Sequence, residues 1–268
     1  MPRRTTVIRG VLGTLFFLAI VVAMTFLVLP VIAIFIHVPP GRLLHEFSNP
    51  VVTDALEVSL KTIVVSQIAI LLLGTPTAYF LASRRFPGRP LVVTLVELPI
   101  VLPPAVAGIG LIVAFGRFGL LGSTFDALGI NVSFNQTAVV FAISLVAGPF
   151  YVRQAIASFE AVDRNLIAAS RTLGAGSLRT FFKVTLPLAR NGLAAGEAIC
   201  TARGLGEFGA TIMFAGNLQG VSQTLPLAVY LNLESGNLPV AVVLSVILIL
   251  FSLLVVVAVH TTAARRSV

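Results

Sequence analysis

The chain has 268 residues, 57% of them hydrophobic and 10% charged, with a mean hydropathy of +1.03. Soluble domains carry roughly 25% charged residues, so this composition excludes an ordinary soluble fold and points to a polytopic membrane protein. The formal charge of +8 sits in short segments beside hydrophobic runs, which is how membrane topology is set and not how nucleic acid is gripped.

Six stretches, in chain order, supply the roughly 20 apolar residues that a crossing helix needs: 11–36, 60–82, 91–115, 138–157, 193–215 and 239–259. Arg3, Arg4 and Arg9 precede the first, as in a signal peptide. The run continues past Val28 without a small-residue cleavage site, so an uncleaved first span is expected. Segment 39–50, with three prolines and one glycine, sets that span apart from the rest. With both termini inside, the inner segments hold thirteen basic residues: Arg3, Arg4, Arg9, Arg84, Arg85, Arg89, Arg164, Arg171, Arg179, Lys183, Arg190, Arg265 and Arg266. The outer segments hold only Arg42 and Arg117. That bias places segment 163–190 in the cytoplasm. The acids Glu46, Asp54, Asp126 and Glu234 fall outside, and the sequons at Asn131 and Asn135 are read as chance.

The third span reads ELPIVLPPAVAGIG, with Glu97, Pro99, Pro103 and Pro104 inside it. Each proline removes a backbone donor and clashes with the preceding turn. Such breaks survive in lipid only where protein or water satisfies the freed carbonyls. A kinked helix beside a translocation path and a plain packing kink both fit. The fifth span reads GEAICTARGLGEFGATIMFAGN and carries Glu197, Arg203 and Glu207. A charge at mid-bilayer costs about 2.5–3.5 kcal/mol, so each needs a protein or aqueous partner. Arg203 and Glu207 are four apart and can meet on one helix face. Gly204, Gly206 and Gly209 permit close helix approach or local unwinding. Arg203, Gly204, Gly206, Glu207, Gly209, Pro103 and Pro104 are therefore candidates either for lining the path or for pairing helices.

Segment 163–190, DRNLIAASRTLGAGSLRTFFKVTLPLAR, is the one long polar stretch between hydrophobic runs. The pattern from Leu166 to Leu173 is a short helix, and Gly174 after it supplies a left-handed cap. Ser177 is positioned to cap a second helix carrying Leu178, Phe181, Phe182 and Val184, which Pro187 stops or kinks. Ala168, Ala169 and Ser170 let another surface approach closely. A protein-docking knob and an interfacial helix lying on anionic lipid fit this stretch equally well.

The chain contains no phosphate-binding P-loop, no HExxH motif and no nucleophile triad, so it is not expected to hydrolyse ATP or to be an enzyme. Cys200, the one cysteine, lies in an apolar run, which excludes an intrachain disulfide and a cysteine metal cluster. His37, His45 and His260 are too scattered to form a metal site.

The spacing of Ala168-Ala169-Ser170-Arg171-Thr172-Leu173-Gly174, nine residues, then Val184-Thr185-Leu186-Pro187 resembles the EAA loop of binding-protein-dependent ABC importer permeases. The leading glutamate of that pattern is Ala168 here. The resemblance runs over 54–259, and stretches 98–122 and 202–230 resemble the molybdate and tungstate branch, with sulfate and thiosulfate permeases next. It implies an all-α polytopic membrane protein with the type I ABC importer permease fold, six transmembrane helices and both termini cytoplasmic, in the plasma (inner) membrane of a bacterium or archaeon. It divides the chain into an N-terminal helix and outer connector (1–53), a permease core (54–259) and a cytoplasmic tail (260–268). The implied ATPase-coupling residues are Ala168 to Ala175 with Val184, Leu186 and Pro187. The implied partners are a second permease copy, making a homodimer, two cytoplasmic ATPases that hold ATP and Mg, and an extracytoplasmic binding protein. Membrane lipid surrounds the assembly, and this chain itself binds no cofactor. An ion-coupled secondary carrier is the reading from another class, although the inverted repeats and paired broken helices of such carriers are only weakly hinted at here; a non-transporting membrane scaffold is the third.

Overall fold

The computed structural model describes residues 2–39, 41, 43, 46–129 and 132–265, with side chains between 12 and 258. Arg42, His45, Asn131 and Arg266 lie outside the described residues, as do the side chains of Arg3, Arg4, Arg9, His260 and Arg265. Among the described residues all regular structure is helical.

Helix α1 (Pro2–Ile36) leads to α2 (Pro50–Ser83). Helices α3 (Arg89–Val101) and α4 (Pro104–Phe115) follow, then the short α5 (Gly122–Ala127) and the long α6 (Gln136–Glu160). Next come α7 (Arg164–Thr172), α8 (Ser177–Thr180), a π-helical turn (Phe181–Thr185) and α9 (Leu186–Leu205). The chain ends with α10 (Gly209–Ala215), α11 (Leu225–Glu234) and α12 (Leu238–Arg265).

Four helices, α1, α2, α6 and α12, are long and apolar enough to cross a membrane, and the bent pair α3–α4 raises the number to five. Two expected spans therefore differ from single helices. Residues 91–115 form two helices meeting at 115°, because Pro103 and Pro104 follow one another and neither can donate to the preceding turn. Residues 193–215 are split between α9 and α10. Glycines flank Glu207 there, and the Glu207 carboxylate turns back to cap the second piece. Helix α2 also starts ten residues before the expected 60. Asn49 Oδ1 accepts from Val51 N at 3.0 Å, and Pro50 occupies the first turn, where its missing donor is harmless. Asp54, Glu57 and Lys61 lie in those early turns, so hydropathy hid a segment that capping reveals.

Helix α6 is the most buried of the long helices and packs on α2, α3, α4, α9 and α10. Small residues bring these helices together. A Cβ on Gly74 of α2 would lie 3.1 Å from the Tyr151 ring, and one on Gly196 of α9 would lie 2.9 Å from Gln154. Without a hydrophobic drive between helices in lipid, such close backbone approach is the main source of association. A second cluster joins the start of α2 to α11 and α12 through Val52, Ala55, Leu225, Ala228, Val243 and Leu244. No side chain from Leu12 to Ile36 is buried, which suits a helix solvated by lipid along most of its length, with Ile34 near its end packed against the second cluster.

Candidate functional site

The segment from Asp163 onward folds as a two-helix knob. Asp163 Oδ1 accepts from Asn165 N at 2.8 Å and opens α7. At its far end, Gly174 N donates to Arg171 O at 2.9 Å and Ala175 N to Ser170 O at 3.1 Å. That pair of bonds is the Schellman termination, which needs a left-handed residue; Gly174 supplies it at φ +83°. Gly176, not Ser177, is the residue before α8, and no side chain caps that helix. The two helices are tied by Ser170 Oγ and Thr180 Oγ1 at 3.1 Å.

The knob is anchored to the membrane helices by aromatic contact. Phe181 stacks against Tyr79 at the end of α2 with ring centroids 4.6 Å apart, and lies 6.1 Å from Phe159 of α6. Tyr79 and Phe159 are themselves 5.5 Å apart, edge to face. Pro187 does not end the second helix. The chain passes from α8 through the π turn into α9 without a loop, the wider π turn relieving the clash that proline makes one turn back. The knob and the fifth span are therefore mechanically continuous. Leu166, Leu173, Leu178 and Phe182 of the knob are exposed, Leu173 by 88%, and Leu178 and Phe182 also edge a cavity beside α2 and α9.

Among the expected coupling residues, Ala168, Ala169, Ser170, Arg171, Thr172, Leu173, Gly174 and Ala175 fall on α7 and its cap. Val184 and Leu186 are half-buried beneath them, while Pro187 is exposed at the start of α9. The second candidate set lies apart. From Leu186 to Arg203 is about 25 Å along the helix at about 1.5 Å per residue.

There the two broken spans meet. A Cβ on Gly209 would lie 2.7 Å from Pro104 Cβ, and one on Gly108 of α4 would lie 2.7 Å from Met213 Cβ and 2.8 Å from Ala210 O. Pro104 and Gly209, with Pro103 next to the first, thus belong to one crossing of α4 and α10, whereas Gly206 meets only Ala202 O of its own helix, at 3.9 Å. Glu207 secures the crossing. Its Oε1 accepts from Ala210 N at 2.8 Å, and its Oε2 pairs with Arg203 Nη2 at 2.7 Å. The Glu207 side chain is 1% exposed and that of Arg203 29%, so the acid is a buried cap and the base its semi-exposed counterion. Gly204 packs against α2 and α6, where a Cβ would sit 2.8 Å from Ile63 Cδ1.

Thr75, Tyr151, Gln67, Arg153 and Glu160 were not singled out from sequence, and they partner each other or residues that were. Thr75 Oγ1 and Tyr151 OH are 2.7 Å apart across α2 and α6, and Cys200 Sγ donates to Gln67 Oε1 at 3.4 Å. Glu97 of α3 pairs with Arg153 Nε of α6 at 3.6 Å, and Arg89 pairs with Glu160. A cavity of about 1030 Å³ opens beside the knob between α2, α6 and α9, with Thr75, Tyr151, Arg190 and Glu197 on its walls. Tyr151 and Thr75 carry no charge and sit in long apolar helices, so only their pairing in space marks them.

This architecture has known counterparts. A permease in the crystal structure of a bacterial alginate ABC transporter with an alginate-bound periplasmic protein superposes with a TM-score of 0.78 at 14% identity, covering 96% of this chain and 95% of that one. The methionine ABC transporter MetNI in an inward-facing form gives 0.60 at 20% identity, over 81% of this chain and 94% of that one. In sequence, the molybdenum transport system permease protein ModB of Mycobacterium tuberculosis is 40% identical over 90% of both chains. ModB of Escherichia coli K12 is 39% identical over 75% of this chain and 90% of its own. Residues 71–267 match the family described as binding-protein-dependent transport system inner membrane component. The chain is a multi-pass integral protein of the cell membrane with the fold of ABC importer permeases, not itself an enzyme, and it belongs to the family of binding-protein-dependent transport system inner membrane components.

Proposed function

We propose that this chain is the membrane-spanning permease of an ATP-driven importer for molybdate, with tungstate as a second cargo. The observation that carries the reading is 40% identity over nine-tenths of the chain to a protein described as a molybdenum transport permease. Two copies, two cytoplasmic ATPases holding ATP and Mg, and an external binding protein make up the proposed assembly. Six membrane crossings with both termini inside, and the division into 1–53, 54–259 and 260–268, are parts of the same proposal.

The geometry supports a definite mechanism. The knob, with Leu173, Leu178 and Phe182 exposed, is the surface an ATPase grips; Ala168 to Ala175 with Val184, Leu186 and Pro187 form it. Phe181 fixes the knob to the ends of α2 and α6, and the unbroken run into α9 carries its displacement along the helix axis. That displacement reaches Arg203, Gly204, Gly206 and Glu207, where α10 rests on α4 at Gly209, Pro103 and Pro104. Because backbones touch at that crossing, a shift of α9 changes the separation of the two broken spans, and the path opens or closes there. Paired broken helices also occur in ion-coupled carriers, so the energy source is part of the test. In proteoliposomes holding the chain, its ATPase and its binding protein, molybdate uptake is expected to require ATP and to be inhibited by tungstate but not by sulfate. Uptake driven by an ion gradient without ATP would refute the reading, and inhibition by sulfate alone would reassign the cargo.

A further inference from the structure

The inner face of α7 touches the hydrophobic core through Ile167 and is otherwise held off it, with Arg164 and Arg171 exposed. A cavity of about 440 Å³ lies between it and the ends of α2 and α6, with Arg164, Ala168, Arg171, Ser83, Glu160 and Thr185 on its walls. Arg164, Ala168 and Arg171 are spaced by four and three residues and so share one face of α7. The two arginines stand two turns apart, about 10.5 Å along the axis, and the methyl group of Ala168 between them leaves the space open.

The charges here are unbalanced. Neither Arg164 nor Arg171 forms an ion pair among the described residues. Glu160, the acid on the wall, is paired with Arg89. Arg84 and Arg85 follow Ser83 directly in the chain and add to the positive field. Thr185 is a buried polar residue beside Arg164 and Arg171. It is 1% exposed, it lines the cavity, and its Oγ1 has no hydrogen-bond partner. The hydroxyls of Ser144, Thr201, Thr211 and Thr224 are likewise without a partner, so the two guanidinium groups carry the site.

We infer that this cavity is a binding site for a tetrahedral oxyanion, held by the guanidinium groups of Arg164 and Arg171. Guanidinium forks match phosphate-like oxygens in geometry as well as charge. The shared chemistry is a phosphate or its tetrahedral analogue, from one of two sources: the headgroup of an anionic phospholipid, which suits a basic pocket at the ends of membrane helices, or a free oxyanion. Because one wall of the site is the coupling knob and the other is the membrane core, the bound anion braces the knob.

The test uses the full-length chain in complex with its ATPase, delipidated in detergent or placed in nanodiscs of pure phosphatidylcholine with or without phosphatidylglycerol. Thermal unfolding is followed against inorganic phosphate, molybdate and phosphatidylglycerol. Stabilisation by phosphate or molybdate in phosphatidylcholine assigns a free oxyanion, and stabilisation by phosphatidylglycerol alone assigns a lipid headgroup. The double variant Arg164→Ala/Arg171→Ala is expected to bind about a hundredfold more weakly, about tenfold for each guanidinium removed from the anion. Should it fail to fold, Ala168→Glu keeps both arginines and places a carboxylate between them, and it is expected to abolish the same stabilisation. Wild-type stability indifferent to all three anions, or unchanged binding in a folded variant, overturns the site. Loss of ATPase retention by the double variant with no anion effect assigns the cavity to an acidic side chain of the ATPase and also overturns it.

Discussion

Glu207 carries two roles in one carboxylate, and the two can be separated. Glu207→Gln keeps an oxygen to accept from Ala210 N but removes the negative charge facing Arg203 Nη2 at 2.7 Å. Glu207→Ala removes both. Breaking a buried ion pair from one side costs about 3–5 kcal/mol, and the lower end applies because Arg203 is 29% exposed and keeps access to water. The cap to Ala210, a hydrogen bond to a charged group, adds about 1.5–3 kcal/mol. Glu207→Gln is therefore expected to cost about 3 kcal/mol and Glu207→Ala at least about 1.5 kcal/mol more. Arg203→Met leaves the acid, 1% exposed, buried and unpaired, so it is expected to cost toward the upper end of the ion-pair range, about 5 kcal/mol. The double variant Arg203→Met/Glu207→Gln is expected to cost less than the two singles summed, by more than about 1 kcal/mol, because groups in contact couple. Unfolding free energies from SDS titration in mixed micelles measure all four. Equal losses in Glu207→Gln and Glu207→Ala would refute the capping role. Strict additivity in the cycle would refute the pair.

Three shorter predictions concern the knob and the crossing. Gly174→Val puts a branched side chain at φ +83°, a region that costs an L residue about 1–2 kcal/mol; the expected result is ATP hydrolysis retained by the assembled complex with uptake abolished, read by parallel phosphate-release and uptake assays. Phe181→Ala removes the ring between Tyr79 and Phe159 and is expected to cost about 3 kcal/mol, seen as faster proteolytic cleavage within 163–185 than elsewhere; uniform cleavage along the chain would argue against local anchoring. Gly108→Leu drives a side chain into Met213 Cβ and the Ala210 carbonyl and is expected to cost about 1–3 kcal/mol by overpacking, with uptake falling further than stability, whereas Gly110→Leu, where nothing lies within 4 Å, is expected to be tolerated.

The knob is largely legible in the chain because its signals are local. Asp163 at the start of α7 and Gly174 at its end act within four residues of their own position, through capping bonds and backbone sterics. Ser177 does not cap α8 because glycine at 176 already takes the extended conformation that precedes the helix. Pro187 misleads for a similar reason: proline forbids a regular α turn, and only the structure shows the π turn that carries the chain past it.

What the sequence by itself determined is the membrane class, the apolar stretches, the first helix of the knob with its termini and the positions where the third and fifth stretches break, since each follows from transfer energy or local backbone geometry over at most about twenty residues. Tertiary structure alone decided what those features touch. The breaks at 102–103 and 206–208 lie about a hundred residues apart in the chain, and nothing local says that Gly209 rests on Pro104. Phe181 reads as one apolar residue among many until Tyr79 and Phe159 flank it, and Arg164 and Arg171, though exposed, read as unrelated charges until the structure sets them with Ala168 along one cavity beside the ends of α2 and α6. Side-chain partners far apart in sequence are chosen by packing, and packing energy is a property of the assembled helices, not of any one of them.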